Sequence, residues 1–474
     1  MVGGSSIAAI ATARGESALS IVRVSGPEAV PIASRVFAGS AELSGVDSHT
    51  AWFGRVSDAD GHLLDEVVAT VFRAPRSSTG EDVVELTCHG GDTVPAAVLS
   101  ALLDAGATPA APGEFTRRAF LNGKLDLDQA EAVMDLIHSR SSAAHRASAR
   151  QLQGRLKRRL SELRSQLLKT CGLVELELDF GEEDVEFADR REVVKLLSTL
   201  RQTVEEMLGT ASVTDRWRDG ILVVLAGRPN AGKSTLLNAL VGSDRVIVSS
   251  TPGTTRDFIE SHMELDGLLL RLTDTAGIRT SSDEIESEGV RRTEALIASA
   301  DVLLYVFDSS EPLSDREIQL IQAQNGENGA FSTLLVANKA DLLTDDLSRD
   351  LSCFPASLES AGLAMLPAVS VSAKLAVNRP EELEALLEAI RAVLPPALRD
   401  FDSSDGMINE RHQRHLEDAR SAISRTEHLI ASGSGGELLS LELRSALEAI
   451  GLITGQITNE DILTEIFSRF CIGK

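Results

Sequence analysis

Proline is missing from two long stretches of this 474-residue chain, residues 113–228 and everything after Pro396. Of the 14 prolines, six fall between Pro27 and Pro112 and eight between Pro229 and Pro396. A proline ring breaks helix interiors, so the two gaps are where long helices can run. Leu125–Leu168 and Glu410–Ile450 agree, being rich in Ala, Leu, Arg and Glu with apolar residues three and four apart. Cysteine is scarce too. Cys88, Cys171, Cys353 and Cys471 are far apart and show no metal-ligand spacing, which argues against a disulfide framework and fits a reducing cytoplasm. No apolar run approaches the roughly 18 residues of a membrane helix, so no membrane association is expected. The short apolar stretch Ile7–Ala11 has no basic region before it, so no signal peptide is expected either. Positive charge is in deficit: 46 Lys and Arg against 71 Asp and Glu leave a formal net charge of −25. Such a chain does not coat nucleic acid by bulk charge; contact with RNA needs a local basic patch or a partner.

What is present falls into blocks. The first 112 residues carry short β-branched runs, such as Ile21–Val24 and Val83–Leu86, between Gly, Ser and Pro turns. The middle of the chain alternates apolar strands with helical segments, the pattern of an α/β domain with a mostly parallel sheet. The chain is about three times a typical single-domain length, so two or three domains are expected. The simplest account of helical segments on both flanks is an α/β domain inserted into one helical domain; three independent domains in a row is the alternative. The expected boundaries are 1–124, 125–219, 220–397 and 398–474, the second and fourth being two parts of the helical domain.

The apolar strand Ile221–Ala226 runs directly into Gly227-Arg228-Pro229-Asn230-Ala231-Gly232-Lys233-Ser234, a G-x-x-x-x-G-K-[ST] pattern between a strand and a helix. Glycines let backbone N–H groups turn inward onto phosphate oxygens, and the following helix adds its positive N-terminus. Lys233 supplies a point charge to the β/γ-phosphates, and Ser234 a hydroxyl to Mg²⁺. Leu268–Leu272 is a strand leading to Asp274-Thr275-Ala276-Gly277, where Asp274 can hold the Mg²⁺ shell and Gly277 can offer its N–H to a γ-phosphate. Leu303–Phe307 is the next strand. Leu334–Ala337 ends in Asn338-Lys339-Ala340-Asp341, and Val369–Val371 leads into Ser372-Ala373-Lys374, placed to back the base. The Asp341 carboxylate can accept from both guanine N1–H and the 2-amino group, which adenine does not offer together. These signals, in this order, specify a GTPase domain of the Ras-like P-loop type. Thr254 and Thr255 fall in the loop between the P-loop helix and the Asp274 strand. Many GTPases follow the equivalent of Gly277 with a Gln that orients water; here it is Ile278, which cannot. The loop Arg279–Glu288 carries Asp283, Glu284, Glu286 and Glu288, any of which can position water, although a solvated acidic loop is the plainer reading for most of them.

With these residues in hand, the chain resembles the MnmE (TrmE) family of tRNA modification GTPases over essentially its whole length. The resemblance rests on Ile7–Thr12, Arg23-Val24-Ser25-Gly26, Thr79-Gly80-Glu81-Asp82 leading to Glu85, and His89-Gly90-Gly91. It rests further on Pro112–Thr116, the long block Ala119–Leu127, and the terminus Phe470-Cys471-Ile472-Gly473-Lys474. It implies a β-rich N-terminal domain that binds folate and dimerises, a discontinuous helical domain, and an inserted GTPase domain. It extends the expected GTP/GDP set to Thr235 and to the loop Ser249, Ser250, Thr251, Pro252 and Gly253. It implies Mg²⁺ at Ser234, Thr255 and Asp274, and K⁺-stimulated hydrolysis with Asn230, Ser249, Thr251 and Thr254 at the K⁺ positions. A monovalent cation there can neutralise developing phosphate charge. Glu286 matches the family's water-orienting glutamate. Arg23, Glu85 and Lys124 match its contacts to 5-formyl- or 5,10-methylene-tetrahydrofolate, with Lys474 nearby; without the resemblance these read as surface charges or salt bridges. A carboxylate such as Glu85 suits a pterin's amino and ring N–H groups, and Arg23 or Lys124 suits the glutamate tail. Three segments depart from the family pattern: Arg14–Ala18 is poorer in glycine, Ala111 stands where Arg is common, and Ser249–Gly253 replaces a Thr-Asp-Ile-Ala-Gly-like loop.

The resemblance also implies a cytoplasmic homodimer that works with a flavin-dependent MnmG (GidA)-type partner, as a heterotetramer, on tRNA. The pair would add a carboxymethylaminomethyl or aminomethyl group at C5 of the wobble uridine. An Era- or Der-like regulatory or ribosome-assembly switch is the competing reading, disfavoured by the Phe115–Leu127 block and the Cys471 terminus. Cys471 reads either as a C-a-a-X prenylation signal, for which a final Lys is unusual, or as a thiol in uridine chemistry. Cys88, Cys171 and Cys353 read as small hydrophobes. Arg146–Lys169 carries eight Lys/Arg and one Glu; it reads as a solvated helix face balanced by the acidic Glu175–Glu192 segment, with RNA contact as the alternative.

Overall fold

The computed structural model describes residues 4–179, 190–242, 260–275, 291, 293–311, 313–324, 332–342, 363, 365–399, 406–457 and 460–473. The chain divides into two compact units. One takes residues 1–137, 148–208 and 410–474; the other takes 138–147 and 209–409.

The first unit holds a seven-stranded sheet built from β1 (Ile7–Ile10), β2 (Leu19–Ser25), β3 (Phe37–Gly39), β4 (Thr50–Ser57), β5 (Leu63–Phe72), β6 (Val83–His89) and β7 (Thr108–Pro109). Its order is β3-β4-β5-β6-β2-β1-β7, antiparallel except for the β1–β7 pair. Strand side chains alternate between faces. Val22, Val24, Val84, Leu86 and Cys88 face a core completed by Val30 and Ala33 of the helix Ala29–Val36 and by Val98 and Leu102 of the helix Thr93–Asp104. Arg23 and Glu85, which are register partners across β2 and β6, therefore share the opposite face.

The helical part of this unit draws on both flanks of the sequence. In the helix Arg155–Asp179, Leu156, Leu160, Leu163, Leu167 and Val174 are buried at helical spacing. That helix packs on the helix Gly436–Thr454, which packs in turn on the helix Glu410–Ala431. Buried charge joins the flanks: Arg411 donates to both Glu131 carboxylate oxygens at 2.9 Å, and the fully buried His412 ring lies 2.7 Å from one of them. Burial alone would raise the Glu131 carboxyl, but the His412 and Arg411 charges outweigh it and hold it well below the usual carboxylate range.

The second unit is a doubly wound α/β domain. Its sheet comprises β8 (Ile221–Ala226), β9 (Glu260–Leu265), β10 (Leu268–Asp274), β11 (Val302–Asp308), β12 (Ser332–Asn338) and β13 (Ala368–Ser370). The order is β13-β12-β11-β8-β10-β9, parallel except for β9. Both faces are covered, so the strands read as continuous apolar runs. In β11, Val302, Leu304 and Val306 enter one core while Leu303, Tyr305 and Phe307 enter the other. Residues 138–147 contribute here: Ala143 and Ala147 join the first core, and the Ala143 N–H donates to Gly267 O at 2.9 Å. The chain is thus multidomain, with a β-rich N-terminal domain, a discontinuous helical domain and a Ras-like P-loop domain between the helical parts.

Candidate functional site

The phosphate loop emerges at the end of β8, a central strand, and closes on the helix Lys233–Gly242. Gly227 has φ +140°, Asn230 φ +64° and Gly232 φ +94°, so the loop takes positive φ three times. A Cβ at Gly232 would collide with the Asn338 amide nitrogen. Lys233 is 5% exposed, and its ammonium donates to Gly227 O at 2.9 Å and Arg228 O at 2.7 Å, folded back over its own loop. Ser234 Oγ donates to Asp274 Oδ2 at 2.6 Å, so the hydroxyl and the carboxylate converge at the adjacent ends of the helix and β10. Oxygen donors of this kind suit Mg²⁺. Thr275 Oγ1 donates to Leu225 O at 3.0 Å, tying the end of β10 to β8.

The three segments expected to read the base come together at the ends of β12 and β13. Asn338 is 1% exposed and bridges them: its amide donates to Ala231 O at 2.7 Å and its carbonyl accepts from Ala373 N at 2.9 Å. Asp341 Oδ1 accepts from Ser372 Oγ at 2.6 Å, and Ala340 N donates to Val371 O at 3.2 Å. Lys339, at φ +65°, donates to Asp308 Oδ2 at 2.7 Å. Burial would raise the Asp308 carboxyl, but bonds from Lys339 and Ser310 outweigh it and lower it to about 2. Thr235 and Lys374 are exposed. Ser249, Ser250, Thr251, Pro252, Gly253, Thr254, Thr255, Ala276, Gly277, Glu286 and Lys474 lie outside the described residues, as do the other acidic residues of the 279–288 loop and Cys353.

A second cluster occupies the face of the first unit's sheet opposite its main core. Arg23 Nε and Nη2 lie 2.8 and 2.7 Å from Glu85 Oε1, and the guanidinium stands 5.6 Å from the Phe115 ring centroid. Gly113, two residues before Phe115, donates its N–H to Cys471 O at 3.3 Å. Gly473, at φ +95°, packs so closely on β1 that a Cβ would strike Ile10 O. Phe467 and Phe470 bury against Leu127 and Ala130. The C-terminal segment is therefore docked beside the Arg23–Phe115 stack, and the Cys471 side is exposed. Lys124 has a different neighbourhood: it donates to Pro75 O at 3.1 Å, and its stem lies against Gly80.

Sequence reasoning missed Phe115 as a partner of Arg23, and it missed how two of its blocks join. Asn122 donates to Thr79 O at 2.9 Å, while Glu81 accepts from Ser25 at 2.8 Å and from Arg118 at 3.2 Å. The blocks Thr79–Asp82 and Ala119–Leu127 are two sides of one hydrogen-bonded junction. Of the acidic segment expected to balance the basic stretch, Glu175 instead accepts from Arg444 at 2.7 Å and Ser440 at 3.2 Å, its helix packing on Gly436–Thr454, while residues 180–189 lie outside the described residues. Within the stretch, Lys157 pairs with Asp126 at 2.5 Å and Arg159 with Glu206 at 3.0 Å. Burial raises the Cys88 thiol to about 11 and raises that of Cys171 as well, so neither is a poised thiolate.

A phosphate loop at the end of a central parallel strand, a paired Ser234 and Asp274, and a base-side cluster around Asn338 and Asp341 define a P-loop GTPase, a GTP hydrolase. Comparison with known proteins gives the rest. Residues 6–124 match the family model described as "GTP-binding protein TrmE N-terminus", and residues 127–471 match "MnmE helical domain". A relative from Salinibacter ruber, named tRNA modification GTPase MnmE, is 49% identical over 99% of both chains. One of the same name from Chlorobium chlorochromatii is 45% identical over 99% of this chain and 98% of its own. A solved Era structure from Aquifex aeolicus covers 37% of this chain and 56% of its own at 26% identity, with a TM-score of 0.29. The chain belongs to the MnmE family of tRNA modification GTPases.

Proposed function

We propose that this GTPase works as a homodimer with a flavin-dependent MnmG-type partner to install an aminomethyl-type group at C5 of the tRNA wobble uridine. A one-carbon tetrahydrofolate supplies the carbon, and GTP hydrolysis drives the rearrangement. In the GTPase unit, Lys233 turns from its own loop carbonyls to the β/γ-phosphates, and the loop amides from Asn230 to Ser234 cradle them. Ser234 and Asp274, with Thr255, hold Mg²⁺. Asp341 accepts from the guanine edge, with Asn338 fixing that segment to the P-loop and Ser372 to Lys374 backing the base. Asn230, Ser249, Thr251 and Thr254 hold K⁺, and Glu286 orients water. In the other unit, Arg23, Glu85 and Lys124, with Lys474, bind the folate. The Arg23–Glu85 pair supports this reading, since a cation and a carboxylate side by side match a ligand that carries both donors and carboxylates. Cys471 acts on the uridine. The protein works in the cytoplasm, away from membranes.

The observation that carries this proposal is the docking of the Cys471 segment beside Arg23 and Phe115. A GTPase used only as a switch has no need of such an arrangement. The test is reconstitution with the flavoprotein partner, tRNA, GTP and defined folates, in KCl and in NaCl. Modified wobble uridine should form only with folate, and hydrolysis should be faster in KCl. The Cys471→Ser variant should lose modification and keep GTP hydrolysis; loss of the GTPase activity would sink the assigned role of the thiol.

A further inference from the structure

One carboxylate outside the nucleotide site receives more donors than any structural cap needs. Glu317 is 8% exposed and lies in the first turn of the helix Asp315–Gln324. It accepts the Ser314 backbone N–H and the Ser314 hydroxyl, each at 2.7 Å, which makes it the inward-reaching member of a capping box, S-x-x-E. It also accepts the Tyr305 hydroxyl at 2.9 Å from β11. Its fourth donor comes from the phosphate loop: Arg228 Nη2 bonds Glu317 Oε2, while Arg228 Nη1 lies 3.2 Å from Glu311.

Arg228 is the residue whose carbonyl, with that of Gly227, accepts the Lys233 ammonium. The guanidinium thus anchors the very peptide over which Lys233 is folded. We propose that Glu317 is a positioning residue for nucleotide binding. Through Arg228 it holds the first turn of the phosphate loop against β11 and the helix Asp315–Gln324, before any nucleotide arrives. A loop ordered in advance loses less freedom on binding, so the device acts on affinity for the diphosphate moiety common to GDP and GTP. It does not act on the hydrolytic step, because Glu317 reaches the phosphate loop only through Arg228, and Arg228 bonds carboxylates of its own unit. Burial and the neighbouring carboxylate push the Tyr305 phenol well above its ordinary value, so it remains a donor to Glu317 throughout the working pH range.

The experiment uses the full-length chain, a fluorescent GDP at equilibrium, and steady-state hydrolysis. Glu317→Gln and Arg228→Ala should each weaken GDP binding about tenfold, the size expected for loss of one charge-assisted bond. The double variant should be no worse than either single one, because both remove the same link. Arg228→Lys should recover part of the loss. The Arg228 side chain is 37% exposed, so its variants leave the fold intact. Ser314→Ala, which removes half of the cap and leaves Arg228 alone, should lower the melting temperature with GDP affinity within about twofold. For Glu317→Gln, KM for GTP should rise with kcat unchanged. Additive losses in the double variant, equal affinity loss in Ser314→Ala, or a fall in kcat at constant KM would each overturn the proposal.

Discussion

Asp128 carries a carboxyl group whose acidity departs far from that of a free aspartate. It is fully buried at the start of the helix Leu127–His138, and among the described residues no other residue hydrogen-bonds either carboxylate oxygen. Burial first, then the charges of Asp126 and Glu131, raise its carboxyl from 3.8 to about 7, against smaller opposing pulls from its own backbone N–H and from Arg411. The folded chain therefore holds a proton that the unfolded chain has already released. This contribution to stability is complete below about pH 4 and is lost as pH rises through about 7. Asp128→Asn removes that dependence. In urea denaturation the variant should gain about 3 kcal/mol on the parent between pH 5 and pH 8. Parallel behaviour at both pH values would show that the carboxyl is not protonated in the fold. Asp341 gives a second test at this scale. Its carboxylate, held by Ser372 at 2.6 Å, is an acceptor for the guanine N–H groups. Asp341→Asn replaces an acceptor with a donor, so GTP affinity should fall about a hundredfold and xanthosine triphosphate, with a carbonyl at C2, should bind better than GTP. Competition binding with the two nucleotides checks this.

At the scale of elements, what could be read in advance depended on sequence distance. A phosphate loop is contiguous and needs a strand before it and a helix after it, so Gly227–Ser234 announced its own structure. The strands β2 and β6 were equally legible, as short β-branched runs between turn residues. The stack of Arg23 on Phe115 was not, since only folding brings the two together. Residues 138–147 carry the helical pattern of their neighbours, and nothing local says that Ala143 will bond to Gly267 in the nucleotide-binding unit. The partners of Glu175 followed from which helices pack, not from the nearest run of opposite charge. The join between the two helical flanks is testable directly. Arg411 bridges Glu131 and the carbonyls of Leu452 and Ile453. Arg411→Ala leaves Glu131 with His412 alone and should cost about 3–5 kcal/mol, the usual result of breaking a buried ion pair from one side. A loss below about 1 kcal/mol in chemical denaturation would mean that apolar packing alone joins the flanks.

Over the whole molecule, the charge of −25 and the two-unit organisation have a common meaning. The acidic chain has little bulk attraction for tRNA, which fits the proposed division of labour with a flavoprotein partner. The unit with the phosphate loop hydrolyses GTP. The unit with the docked C-terminal segment is the seat of the proposed uridine chemistry. The central claim is that the GTPase serves tRNA modification at the wobble position, and nucleoside analysis of tRNA from cells lacking this chain tests it most directly. The account predicts that C5-substituted wobble uridines disappear and return when the intact chain is restored, but not with Cys471→Ser. Wobble uridines unchanged by the deletion would contradict it.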